Sequence, residues 1–279
     1  MRTIFFFVGL VGFFLNTQLS AQISTPPASP FSKVEQVVGL SEITIEYSRP
    51  GVKGREIFGD LVPYDKIWRT GANASTKITF SDNVTIGGLK APKGTYAIYS
   101  IPGESEWTIM LYKDLGLGGG VARYDEANEL GRFKVNAVDL PFSVETMTIS
   151  VGDITNDGAH VQIMWDKTYL ALPVKVEVDK RVMAAIDNAM AGPSKGEYYQ
   201  AALYYYNTDR DMGQALEWIN KALEDNERFW NVTWKARILG KMGNKKEAIA
   251  TSKKALALAE KANNADYVKI NNDLIASWK

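Results

Sequence analysis

The chain has no cysteine. That excludes disulfides, thiolate nucleophiles, thiolate metal sites and a lipid-bearing N-terminal cysteine. It has one histidine, His160. A catalytic triad or a histidine-ligated metal would have to use it, yet neither a G-x-S-x-G elbow nor an H-E-x-x-H helix accompanies it. It has no net charge, with 32 Lys+Arg against 32 Asp+Glu. That balance gives no support to nucleic-acid binding, which favours a strongly basic face. Past the first two dozen residues there is no apolar run of the roughly 20 residues that span a bilayer.

What is present begins at the N-terminus. Arg2 precedes an apolar stretch, Ile4 to Leu15, and small residues Ser20 and Ala21 stand just before Gln22. This is the layout of a secretory signal cleaved after Ala21. A membrane anchor is the alternative, but the stretch is only about twelve residues long against the roughly 20 required. Removing residues 1–21 leaves about 258, enough for one large or two ordinary domains. The expectation is an exported chain, periplasmic or extracellular, with no membrane span after cleavage.

A Pro/Ser-rich extended leader follows, residues 22–32. From 33 to 178 the pattern alternates. Ile43, Ile45 and Tyr47 share one strand face, as do Trp107, Ile109 and Leu111, then Met147, Ile149 and Val151, then Val161, Ile163 and Trp165. Period two over short β-branched and aromatic runs means half-buried strands. Turn signals at Gly87-Gly88, Pro102-Gly103 and Asn156-Asp157-Gly158 separate them. Eight to ten strands predict an antiparallel β-sandwich or barrel, with one short helix near 125–130. From Asp179 the period changes. Val182, Ile186 and Met190 recur at four-residue spacing, and Gly192-Pro193 stops that helix. Ala202, Ala215 and Ala222 then recur as Ala236, Ala248 and Ala255, about 34 residues on, the spacing of paired-helix repeats. Tyr267, Ile270, Leu274 and Trp278 mark a last, capping helix. Residues 179–279 thus form a helical module, and the chain is α+β in two parts.

The candidate site lies between Tyr47 and Thr76, YSRPGVKGREIFGDLVPYDKIWRTGANAST. It sets Arg49, Arg55, Arg69 and Trp68 among glycine and proline corners. Guanidinium forks suit carboxylate or phosphate. Three of them could clamp an anionic ligand, with Trp68 and Tyr64 as stacking surfaces and Asn73 and Thr76 serving the same spot. The competing reading pairs each arginine with a local acid, Glu46, Glu56, Asp60 or Asp65, as a structural lock. Asn73 also suits a plain turn before the strand at Lys77 to Phe80.

Other features read more plainly. GLGGG at Gly116 to Gly120 lacks the Gly-Lys-Ser/Thr ending of a phosphate loop. It is a flexible loop, long enough with Arg123 and Tyr124 to fold over a site as a lid. Gly152 to Gly158 has calcium-like oxygens at the wrong spacing and no closing Glu, so a hairpin turn explains it. His160 is a solvated strand residue. Glu104, Glu106 and Asp114 stand near strand ends, where exposed acids are ordinary. The aromatics of the helical half, Tyr198 to Trp234, either line a peptide groove or fill the core between helices.

The R-P-x-x-K-G-R and W-R-T-G-A-N motifs at Arg49–Arg55 and Trp68–Asn73, with GTYAIYSIPGESEWTIMLYK after them, resemble the domain-of-unknown-function family 2911 over about residues 28–178. The resemblance implies export and a β-rich fold. It brings no activity, cofactor or catalytic residue. The terminal helices are similar to tetratricopeptide repeats, without the usual proline between repeats. Together these features predict a non-catalytic binding protein, with no cofactor or metal. Its β-domain would hold a small anionic or carbohydrate ligand, and its helices would dock a protein partner. A carboxylate-dependent hydrolase acting on envelope polysaccharide and a pure interaction scaffold are the alternatives.

Overall fold

A computed structural model describes residues 25–189, 194–224 and 226–279. The expected secretory signal, residues 1–21, lies outside them, as do Met190, Gly192-Pro193 and Asp225. The chain divides into two compact units. One comprises the residues up to Ile154 with Ala159–Val174, and the other Thr155–Gly158 with Lys175–Lys279.

The first unit is an antiparallel sheet of nine strands: β1 (Phe31–Val38), β2 (Ser41–Ser48), β3 (Thr76–Phe80), β4 (Val84–Ile86), β5 (Leu89–Ala91), β6 (Gly94–Ile101), β7 (Glu106–Tyr112), β8 (Glu129–Gly152) and β9 (Gly158–Val176). Their order is β1-β2-β3-β6-β7-β8-β9-β4-β5. The sheet begins at Phe31, two positions before the boundary that composition suggests. Two of the expected strands are parts of longer ones. Val161–Trp165 belongs to a strand of 19 residues, β9. Met147–Val151 ends a strand of 24 residues, β8, whose first part pairs with β7 and whose second part pairs with β9. β8 passes from β7 to β9 between Asn136 and Ala137, and register shifts between Asp139 and Val144 and between Val144 and Thr148 then bend it, since a bulge bends a strand and raises its twist.

The two layers enclose an aromatic filling. Trp107 of β7 and Trp165 of β9, 1% and 2% exposed, both meet the rings of Phe58 and Trp68. Phe58 and Trp68 complete the filling. Phe58 meets the Trp107 ring edge-on at 4.8 Å, and Trp68 stacks on Trp165 at 5.9 Å. β6 and β7 are buried on both faces. Tyr96, Ile98, Ile109 and Leu111 share the filled side. Tyr99, Met110 and Tyr112 face the other side and are covered there by Leu117 and Tyr124.

The second unit holds six helices: α1 (Asp179–Ala189), α2 (Lys195–Asn207), α3 (Met212–Leu223), α4 (Phe229–Lys241), α5 (Lys245–Lys261) and α6 (Ala265–Trp278). The six recurring alanines are all buried, so helix backbones approach closely wherever they face. Caps set the starts. Ser194 and Glu197 form a reciprocal capping box on α2, while Asp211 and Asn264 accept amides of α3 and α6. A polar network pins α4, α5 and α6 together. The Asn271 amide donates to Thr233 Oγ1 at 2.9 Å and Ser252 Oγ donates to Asn271 Oδ1 at 2.8 Å, all three side chains being buried. Gly240 leaves room for the Trp278 indole, which a Cβ there would meet at 2.4 Å. Among the described residues no helix is long and apolar enough to cross a membrane.

Candidate functional site

The segment between β2 and β3, residues 49–75, forms neither helix nor strand. It earns its order by completing two sheet edges. The second half of β8 has β9 on one side and bare backbone on the other, and exposed polar backbone needs partners. Residues 47–53 supply them. Met147 N–H donates to Pro50 O at 2.9 Å and Val52 N–H to Glu145 O at 2.7 Å. The Tyr47 hydroxyl donates to Ile149 O at 3.2 Å and accepts from its amide at 2.7 Å. Arg49 acts in the same row: Nε donates to Met147 O at 2.9 Å and Nη2 to Thr148 Oγ1 at 2.7 Å. Further along, Trp68 and Ser100 exchange both backbone bonds, at 2.7 and 2.9 Å. This continues the place of β3 beside β6.

Arg55 turns back on its own corner, donating from Nε to Val52 O at 3.0 Å and from Nη2 to Gly51 O at 2.5 Å. Among the described residues none of the three arginines makes an ion pair. Their donors go to backbone and hydroxyl oxygens, not to Glu46, Glu56, Asp60 or Asp65. The structure therefore separates the six candidate residues. Arg49 lies on the β8 edge, Arg55 on the Gly51–Gly54 corner and Trp68 in the aromatic filling. Arg69, Asn73 and Thr76 come together in one tight turn.

That turn is strained. Thr70 has φ 53 and Asn73 φ 59. A β-branched residue there is an outlier, of the kind that persists only where surroundings over-determine it. Thr70 is fully buried. Its Oγ1 lies 2.9 Å from Ser100 Oγ, and its carbonyl accepts from Thr76 Oγ1 at 2.5 Å. Asn73 donates its amide to Ser29 O at 3.3 Å and Ser48 Oγ at 3.1 Å. Arg69 is the exception among the arginines. Its Nη1 donates to Gly119 O at 3.2 Å, and its Nε is buried without a hydrogen-bond partner.

Gly119 belongs to a loop of residues 113–128 whose ends are tied by Lys113 N–H to Asn128 O at 2.9 Å. Two short 3₁₀ turns, Val121–Arg123 and Glu126–Asn128, stand where a short helix is expected near 125–130. A Cβ at Gly119 would lie 2.2 Å from Asn73 O, so only glycine allows the loop to rest on the Arg69–Asn73 turn. Tyr99 holds the loop by donating to Gly118 O at 2.6 Å. Tyr124 stacks on Tyr112 at 4.6 Å and meets Tyr99 edge-on at 5.2 Å. Tyr124 also donates to Glu129 Oε1 at 2.8 Å. Burial raises the Tyr99 phenol above its ordinary value, and burial followed by the Glu129 bond raises that of Tyr124. Both remain protonated donors around neutrality.

The tyrosine cluster is what the sequence reading missed. Its signal is present in YAIYSI at Tyr96–Ile101, an unbroken apolar-aromatic run that marks a strand buried on both faces. Elsewhere, Glu106 pairs with Lys134 at 2.6 Å and Asp114 accepts from Gly116 N–H at 2.8 Å. Thr155 N–H to Gly158 O at 2.8 Å closes the expected hairpin turn. His160 is half-buried, with Nδ1 3.2 Å from Asp153 Oδ2.

These observations define an antiparallel β-domain with an edge-closing loop and a glycine-rich loop resting on it, followed by a helical module. The chain belongs to the DUF2911 family, described as a protein of unknown function, whose model matches residues 29–174. No curated protein and no solved structure matches the chain.

Proposed function

We propose that the chain is an exported binding protein. Its β-domain holds a small anionic or sugar-like ligand at the Arg69–Thr76 turn, beneath the 113–128 flap, and its helical module docks a protein partner. One observation carries the ligand reading. Arg69 is the loop arginine whose fork the loop itself does not satisfy, and its one bond goes to a glycine flap. A buried donor without a partner is costly. Lifting the flap would release the Arg69 guanidinium from Gly119, next to the exposed Asn73. Arg49, Arg55 and Trp68 frame the turn from the β8 edge, the Gly51–Gly54 corner and the aromatic filling.

The test is a thermal-shift screen of the chain with sugars, sugar acids, phosphates and nucleotides. A ligand at 100 times its Kd stabilises by about 2.7 kcal/mol. The expected result is a hit that Arg69→Ala abolishes while the apo melting temperature holds. A hit indifferent to Arg69→Ala, or a screen that stays flat, removes the ligand reading. Export has its own test: N-terminal sequencing of the secreted product should begin at Gln22.

A further inference from the structure

The helical module carries its cations on aromatic rings. Arg210 lies 6.0 and 5.9 Å from the ring centres of Tyr204 and Tyr205, Lys221 5.2 Å from Tyr198, Lys241 4.4 Å from Tyr206 and Arg237 4.6 Å from Trp234. Three of these four cations also have a carboxylate. Arg210 pairs with Asp179, Lys221 with Glu217 at 2.8 Å and Lys241 with Asp209 at 2.5 Å. Arg237 breaks the pattern. Among the described residues it makes no hydrogen bond and no ion pair, and its Nε is buried without a partner.

Its surroundings say what is missing. Trp230, Trp234, Arg237 and Lys241 fall at i, i+4, i+7 and i+11 along α4, one stripe of the helix. Trp230 is 40% exposed. Phe229 joins Trp230 at 4.9 Å to Tyr267 of α6 at 4.8 Å, and Trp234 meets Tyr206 of α2 at 5.4 Å. The phenol of Tyr199, raised first by burial, feels Tyr267 and Arg237 as well. Aromatic surface therefore gathers around a cation that no anion among the described residues pairs. The stripe from Trp230 to Lys241 is about 16 Å long at 1.5 Å per residue. That length matches about five residues of extended chain, more than a lone small anion fills.

We infer that this stripe receives a short peptide segment of a partner, with a carboxylate on the Arg237 fork and apolar side chains on Trp234 and Trp230. The inference rests on the docking role proposed for the helical module and names the chemistry of what docks. A guanidinium stacked on an aromatic face keeps its edge donors free, and carboxylate is their planar match. The carboxylate is that of an acidic side chain within the segment, because Arg237 lies inside the stripe and not at its end.

The test uses the full chain and fluorescent five-residue peptides read by anisotropy. Each peptide has one glutamate between leucine and phenylalanine. Each has a glutamine twin, and every sequence is made with a free and an amidated C-terminus. Glutamate peptides should bind at least tenfold more tightly than their amidated glutamine twins. Arg237→Gln should erase that difference at an unchanged melting temperature, and Arg237→Lys should restore part of it. Preference for every free-acid peptide, whatever its side chain, overturns the side-chain assignment. Equal binding of the twins, or binding untouched by Arg237→Gln, overturns the carboxylate assignment and leaves docking intact. Binding of no peptide overturns both, as does binding only of inorganic phosphate or phosphatidylglycerol vesicles.

Discussion

The arginine-rich loop of the β-domain and the aromatic-rich helices of the second unit use their cations differently. Arg49 and Arg55 give their donors to carbonyl and hydroxyl oxygens of their own fold, where each replaces a backbone partner that the irregular loop cannot offer. In the helical module Arg210, Lys221 and Lys241 lie on rings with an acid beside them. The first use ties a cation to one geometry. The second leaves it at a surface. Each of these two groups contains one departure, Arg69 among the loop arginines and Arg237 among the cations on rings. The departures point to function more clearly than arginine density does, because the dense loop is mostly scaffold.

The strongest way to break the comparison is to empty the aromatic filling. Trp107→Ala should cost about 3–5 kcal/mol, the range for large aromatic truncations in a core. Denaturant unfolding followed by tryptophan fluorescence measures it. Should the cost fall below about 1 kcal/mol, the filling is not what holds the layers together. Next comes Arg49→Ala, which strands Met147 O and Thr148 on the β8 edge. A loss of about 1–3 kcal/mol is expected, and Arg49→Lys should recover little, since one ammonium cannot reproduce two diverging donors. No change on Arg49→Ala would return that residue to the list of ligand contacts.

Gly119→Ala sharpens the flap side of the comparison. The added methyl collides with Asn73 O, so the loop should lift while the sheet stays intact. Limited proteolysis should then cut within 113–128 at unchanged far-ultraviolet dichroism, and resistance equal to wild type counts against the flap. The smallest effect concerns the helices. Arg210, then Tyr204, hold the Asp179 carboxyl below the usual range. A depressed carboxylate gives stability that is present above its unfolded value, about pH 4, and is lost as pH falls through the folded value. Asp179→Asn should therefore narrow the drop in melting temperature between pH 6 and pH 2 by a small amount, because the pair is exposed and well screened. A drop identical to wild type would leave the pair without a measurable role.

Much of this architecture is legible in the residues. Alternation at Ile43–Tyr47 and Trp107–Leu111 marks real strands, and the change of period at Asp179 marks the start of α1. The six alanines mark where helices approach. Alternation could not reveal that β8 is a single strand, because the shifts around Val144 break the register on which periodicity depends. The partners of the arginines were equally hidden. A search for acids near Arg49 finds Glu46, while the actual acceptor is the carbonyl of Met147, and every residue carries a carbonyl. Arg237 could not be singled out from sequence at all, since its distinction is a missing neighbour.

The bond between Tyr47 and Ile149 joins positions 102 apart in the chain. Closing so long a loop must precede any gain from the β8 edge, and non-local closure slows folding. Until β8 arrives, β2 and β6 have one apolar face without a cover, open to aggregation or to a chaperone. The helices draw on neighbours close in sequence and face no such wait. By contact order the slower step of folding is expected in the N-terminal half, where residue 149 has to find residue 47.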